Sequence, residues 1–426
     1  MGSHLEITRL TRRLIREVNA LYAAGSERES YWVSLQEGLG TPRMSGFIQH
    51  NLLDFMWDAS RHTRVREPLK ALGEHLDEVF GASLVRNSHG VSQLLGSQHM
   101  RDVKIIGSAA LAAANGKTTS HDVRALADTL LNELTSNSYT WQLVVPLEGP
   151  AFPPASRFFR LDPACRIRVL PLDERELLIN ADMIHLSGAT QASVARSRVA
   201  LEYTITVPAD KELGLPAFNE MVKSSQLTAT LLSSIAGTDI RIAGFFAAPR
   251  FMYPLAIPFS HVPEMPIYEA LADSLELTKP VGRQLHRAFN NAHSGPNSRV
   301  THIALSRLYE VMRHKDPADR LIDAWIALES LFLSDNTAEL KFRAAMRIAG
   351  FSDSPDSLAV YDFVRRSYDM RSKLVHGGLP KLAILKETAD GTVSLARRSL
   401  LRVLESPQPF DPADIERAIL SKRSGC

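Results

Sequence analysis

The sequence predicts an α+β protein: a helical N-terminal region over residues 5–136, a β-rich middle domain over 137–266, and an all-α helical bundle over 267–426. Two changes of period carry this division. On either side of the middle third, apolar residues recur at spacings of three and four, as amphipathic helices require. Between them the chain breaks into short runs of branched and aromatic residues parted by Pro, Gly and Asp, as strands between turns do. At 426 residues it also exceeds what one hydrophobic core usually organises.

In the N-terminal region LTRRLIREVNALYAA, FIQHNLLDFMWDASRH, REPLKALGEHLDEVF and HDVRALADTLLNELT each show the helical spacing, and Ser120 is placed to cap the last of them. Met1-Gly2-Ser3-His4 has the look of a cloning remnant and is set aside; no basic-then-apolar secretion signal follows it. Gly116-Lys117-Thr118 shares the terminal triplet of phosphate-binding loops. However, Leu111 stands where the first glycine belongs, and no apolar strand feeds the turn.

From Tyr139 onward TWQLVVPLEG, RFFRL, CRIRVLPL, SRVALEYTITVP and DIRIAGFFA read as strands. Residues 218–237 interrupt them as a helix with Gly237 as its stop. The helical period returns at Tyr268 with YEALADSLELT and persists through VGRQLHRAFNNAH, SRVTHIALSRLYEVMRHK, PADRLIDAWIALESLFL, AELKFRAAMRIAG, residues 356–378, TVSLARRSLLRVLES and PADIERAILSK. Asp316 before Pro317 suits an N-cap followed by proline in the first turn.

Composition excludes some classes. There is no run of about eighteen apolar residues to span a bilayer. The 49 Lys and Arg nearly balance 47 Asp and Glu, so nothing global advertises a nucleic-acid coat. Cys165 and Cys426 lie far apart without metal-ligand spacing, which argues against a disulfide framework or structural zinc and points to the cytoplasm. No cofactor and no metal site are expected.

Two charges fall where helices should be apolar. On one helix the stripe Leu321, Trp325, Leu328, Phe332 adjoins Ile322, Ile326, Glu329, Leu333, which puts Glu329 on an apolar edge; a carboxylate there needs a partner or a raised pKa. On another, Val360, Phe363, Ser367, Arg371 and Leu374 share a stripe, so Arg371 lands on or beside the packed face. The pairing of the two would let Glu329 orient Arg371 and leave the rest of the guanidinium for an anion. His376 follows five residues later, about 140° round the helix, just before the breakers Gly377 and Gly378 and near the negative end of the helix dipole. An imidazole beside a fixed guanidinium suits phosphodiester chemistry at a ribose 2′-hydroxyl. The spacing alone does not select it. Arg43 with His50, Arg287 with His293 and Arg307 with His314 match loosely, and are read as surface or packing residues. A buried ion pair beside a helix-capping histidine is the plainer alternative.

Taken as a set, RLIDAWIALESLFL, KFRAAMRIA and YDMRSKLVHGG resemble the HEPN superfamily, and within it the Apea-like HEPN group, over roughly the last third of the chain. The resemblance implies a HEPN-like bundle that dimerises, so that two Arg-x4-His motifs form one composite, metal-independent ribonuclease site. Arg371 and His376 match the motif, Glu329 matches the acidic position of the earlier helix, and Ser372 and Lys373 lie within the motif as supporting residues. The family often carries Asn, Asp or His after the arginine, where this chain has Ser372. The β-rich middle also looks like the region preceding this domain in such proteins. The resemblance further implies an RNA substrate, a homodimer built through the C-terminal bundle, and an unknown protein or phage trigger acting through the N-terminal part; with no apolar span, no membrane partner is expected. Antiviral defence or toxin-mediated growth arrest in bacteria is the implied setting. The alternative is a non-catalytic binding or dimerisation module with a regulatory β-rich domain.

Overall fold

The computed structural model describes residues 2–24, 30–36, 43–49, 59, 62–80, 100–114, 116–134, 138–181, 188–208, 215–250, 259–261, 275–333, 339–352 and 354–423. It is α+β, with helices at both ends and a small antiparallel sheet in the middle. The chain forms two compact units, each drawing on separate stretches: one from residues 1–146, 170–221 and 243–263, the other from 147–169, 222–242 and 264–426.

In the first unit, α1 (Gly2–Ala24), α2 (Thr63–Phe80), α3 (Met100–Ala114) and α4 (Ser120–Leu134) bury one shared core that includes Ile7, Leu14, Leu72, Ile106 and Leu130. The apolar spacing that predicts each of these helices is the stripe that packs. Of the residues set aside at the N-terminus, Gly2, Ser3 and His4 belong to α1. Gly116, at φ +69°, ends α3, with Lys117 N–H donating to Ala112 O at 2.8 Å, so the Gly-Lys-Thr triplet is a helix stop. The cap of α4 is Thr119, one residue before the expected Ser120. Its hydroxyl accepts from Asp122 N–H at 3.2 Å, while Asp122 accepts from Thr119 N–H at 3.1 Å, a reciprocal box.

The helical expectation for the N-terminal region fails at β1 (Ser30–Gln36) and β2 (Arg43–Gln49), which pair antiparallel from Ser30↔Gln49 to Gln36↔Arg43. Phe47, Ile48 and Gln49 therefore lie in a strand. Most of the remainder of FIQHNLLDFMWDASRH is outside the described residues. SYWVSLQ carries the strand signal in its β-branched and aromatic content, which a search for helical spacing passes over.

Also in this unit, β3 (Ser138–Glu148) pairs through its earlier residues with β9 (Phe245–Pro249), and the strand order runs β10 (Phe259–His261), β9, β3, β7 (Val199–Pro208). Against it pack α5 (Leu172–Ala181) and α6 (Gly188–Arg196), neither foreseen; Leu178, Ile179 and Val194 share a core with Val144, Ala200 and Phe246. Short helices of nine or ten residues leave little periodicity to detect. Residues 218–236 form most of α7 (Leu215–Ala236), whose greater part belongs to the second unit and which stops at Gly237 with φ +71°.

In the second unit, β4 (Pro150–Ala151) pairs parallel with β11 (Leu275–Glu276), β5 (Phe158–Arg160) pairs antiparallel with β6 (Cys165–Val169), and β8 (Arg241–Ile242) pairs with Leu147 and Glu148. Leu275 and Glu276 correct the expected helix over 268–278, whose earlier residues lie outside those described. Seven helices complete the unit: α8 (Lys279–Ser294), α9 (Ser298–Arg313), α10 (Pro317–Phe332), α11 (Leu340–Phe351), α12 (Ser357–Val375), α13 (Leu382–Glu405) and α14 (Pro412–Arg423). Helix α10 is central, packed on α9 and α13, and buries Leu321, Trp325, Leu328 and Phe332, the stripe read from the sequence. Asp316 caps it, accepting from Ala318 N–H at 2.8 Å. Among the described residues no helix is long and apolar enough to cross a membrane, and no cluster of three His, Cys, Asp or Glu side chains is placed to hold a metal ion.

Candidate functional site

Helix α12 starts on Asp356, whose carboxylate accepts from Ala359 N–H at 2.9 Å, and its register places Ser367 in the bundle interior. There Trp325 Nε1–H donates to the Ser367 hydroxyl at 2.8 Å, and that hydroxyl shares a 2.7 Å hydrogen bond with Thr392 of α13. Thr392 in turn donates to Thr388 O at 2.7 Å. The buried polar groups of Trp325, Ser367 and Thr392, on three helices, are thus satisfied in one run of hydrogen bonds.

One turn further on, Arg371 reaches the edge of the same packed face. Its Nη2 donates to Glu329 Oε2 of α10 at 3.4 Å, and each side chain retains a quarter of its surface. The guanidinium carbon lies 5.9 Å from the centre of the Tyr368 ring, which stands edge-on to Trp325 at 5.1 Å. Burial pushes the Glu329 carboxyl above its ordinary range, and the charge of Arg371 draws it part of the way back. Arg371 Nε is buried and meets no acceptor among the described residues, so the guanidinium keeps unmet hydrogen-bonding capacity.

The helix then ends in a Schellman arrangement. Gly377, at φ +82°, donates to Leu374 O at 3.0 Å, and Gly378 donates to Lys373 O at 2.7 Å. His376 is the C-cap; its backbone N–H donates to Ser372 O at 3.2 Å and its side chain is exposed. Ser372 is half-buried and Lys373 exposed. Asp369, two residues before Arg371, is tied to Lys341 of α11 at 2.6 Å.

Of the residues singled out from the sequence, the structure brings Glu329 and Arg371 together. It joins the His376 ring to neither by a hydrogen bond or ion pair among the described residues. The sequence reading puts Trp325 and Ser367 on packed stripes but misses the hydrogen bonds that join them to each other and to Thr392, and the approach of Tyr368 to Arg371. A Ser inside an apolar stripe was their available signal. The loosely matching pair Arg307 and His314 converges on the buried Asp323, with Arg307 Nη1 at 3.2 Å and His314 Nε2 at 3.1 Å. This fits a packing role.

The fold and these contacts define an α+β protein whose C-terminal helical region holds an Arg–Glu pair beside a histidine-capped helix end. In comparisons with known proteins, no family model, no curated protein and no solved structure matches the chain.

Proposed function

We propose that the protein is a HEPN-type, metal-independent endoribonuclease that acts as a homodimer through its C-terminal helices, in bacterial antiviral defence or toxin-mediated growth arrest within the cytoplasm. The observation that carries this reading is the Glu329–Arg371 pair at the edge of the packed face, one turn before the exposed His376. Glu329 holds one edge of the guanidinium, which leaves the other N–H groups for phosphate oxygens. In the reaction, His376 takes the proton of a ribose 2′-hydroxyl and the 2′-oxygen attacks the adjacent phosphorus. The bond to the 5′-oxygen breaks, and that oxygen takes a proton from water or from the imidazolium that His376 has become. Arg371 stabilises the charge gathering on the phosphoryl oxygens. The products are a 2′,3′-cyclic phosphate and a 5′-hydroxyl. Lys373, exposed in the same turn, adds positive charge, and Ser372 supplies a hydroxyl where the family often has Asn, Asp or His.

Exposed Val375, Leu379, Leu382 and Ile384, close to His376 in the sequence, offer apolar side chains to a second copy, which supports a site completed by dimerisation. A second reading, a non-catalytic binding or dimerisation module, is favoured by the closure of the ion pair within one chain.

The test is incubation of total RNA with the protein in EDTA, comparing wild type with R371A and H376A of verified melting temperature. Cleavage by the wild type alone, with cyclic phosphate ends, supports the nuclease. Intact RNA with wild type, or equal cleavage by all three, overturns it.

A further inference from the structure

Beside β5, the first half of α8 lines an open cleft of about 700 Å³. Its inner wall is the half-buried Phe159 and the buried Gly282, and a Cβ on Gly282 would sit 3.0 Å from the Phe159 ring, so the glycine is what lets the helix close on the strand. Its rim is cationic. Arg160, Lys279, Arg283, His286 and Arg287 line it with no Asp or Glu among them, and the four Arg and Lys side chains stand at the surface. Among the described residues, Arg160, Lys279, Arg283 and Arg287 have no carboxylate partner, although the chain as a whole is nearly charge-balanced. Lys279, Arg283, His286 and Arg287 recur at helical spacing and so share one face of α8. Cations of one sign so close together repel, and no carboxylate lining the cleft offsets that repulsion.

The cleft is also remote from the helix end at His376. Gln284 donates to Glu405 at 3.1 Å and Asn291 to Leu404 O at 2.7 Å, so α8 is fastened to the C-terminal end of α13. The stretch from Arg371 to His376 precedes the N-terminal end of that helix, which spans 24 residues, or about 36 Å.

We propose that this cleft binds a phosphorylated ligand of the nucleotide class, its phosphates on the Arg and Lys rim and its less polar portion against Phe159 and Pro280. A volume of this size accommodates a ligand on the scale of one nucleotide, and planar guanidinium groups match phosphate in paired hydrogen bonds. The inference goes beyond the RNA-cleavage reading and does not rest on it.

The test is calorimetric titration of the full chain in EDTA at low salt with three probes: ATP, inorganic tripolyphosphate and a short oligouridylate. The oligouridylate is titrated into H376A, so that a cleavage activity does not consume it. ATP is expected to bind, with affinity at least about tenfold lower in R283E/R287E and unchanged in R299E/R366E, which makes the same charge change elsewhere. Tripolyphosphate binding as tightly as ATP assigns recognition to the phosphates alone. Oligouridylate binding with the same variant dependence, without ATP binding, overturns the nucleotide assignment in favour of an RNA strand. If R283E/R287E does not fold, R160Q/K279Q reads the same loss from exposed side chains. No binding by any probe, or equal binding by R283E/R287E and R299E/R366E, overturns the proposal.

Discussion

Glu329 and Arg371 meet at 3.4 Å from two different helices, through a single contact, with each side chain three-quarters withdrawn from water. The contact is long for a charge-assisted hydrogen bond, and burial outweighs attraction at the carboxyl, whose pKa is raised above the ordinary value of 4.5. The pair therefore holds its charges at some cost to the fold.

A pH dependence follows from that direction. A carboxyl with a folded-state pKa above its unfolded value binds more protons when folded, so stability falls as pH rises from the unfolded value through the raised one. E329Q lacks this titration. Its melting temperature relative to wild type is expected to climb as pH rises from the ordinary carboxyl value through the raised one, as measured by thermal denaturation; a pH-independent difference would show that Glu329 is not desolvated.

R371K separates chemistry from packing. Lysine keeps the charge but loses the planar fork, so under the nuclease reading cleavage falls on the order of 100-fold. The melting temperature is expected to stay within about 3 °C of wild type. Undiminished cleavage would place Arg371 outside the reaction.

S367A leaves the Trp325 indole N–H and the Thr392 hydroxyl short of a partner in the interior. The expected destabilisation is about 1–3 kcal/mol, read from the midpoint of urea unfolding. A neutral result would mean that water replaces the serine hydroxyl.

Two glycine substitutions distinguish backbone strain from crowding. At Gly377, φ is +82° and a Cβ would meet nothing within 4 Å, so G377A costs about 1 kcal/mol from conformation alone. At Gly391 of α13 a Cβ would lie 2.7 Å from the Phe363 ring, so G391A forces apart α12 and α13 and costs about 1–3 kcal/mol. Chemical denaturation of both variants checks the pair.

How much of the fold is legible in the sequence depends on the length of each pattern. The long stripes Leu321–Trp325–Leu328–Phe332 and Val360–Phe363–Ser367 determine which faces pack, and with them the meeting of Glu329 and Arg371. The cap at Asp316 comes from short-range hydrogen bonding, which sequence displays directly, while the equivalent cap at Asp356 is not read from it. Strands β1 and β2 escape a reading by period because a seven-residue strand depends on its partner strand and not on its own spacing. Helices α5 and α6 escape it because each is too short to show a stripe. The cationic cleft is hidden for a different reason. Its Arg160 and Arg283 lie far apart in sequence and are brought together by the packing of α8 on Phe159.

The hydroxyl chain through Trp325, Ser367 and Thr392 has a mechanical consequence. Oily contacts tolerate a helix turning slightly about its own axis, whereas a hydrogen bond is directional and does not. Because that chain grips α12 one turn before Arg371, it sets the azimuth at which the guanidinium leaves the helix. A substitution at Thr392, on another helix altogether, would re-aim Arg371 without touching it.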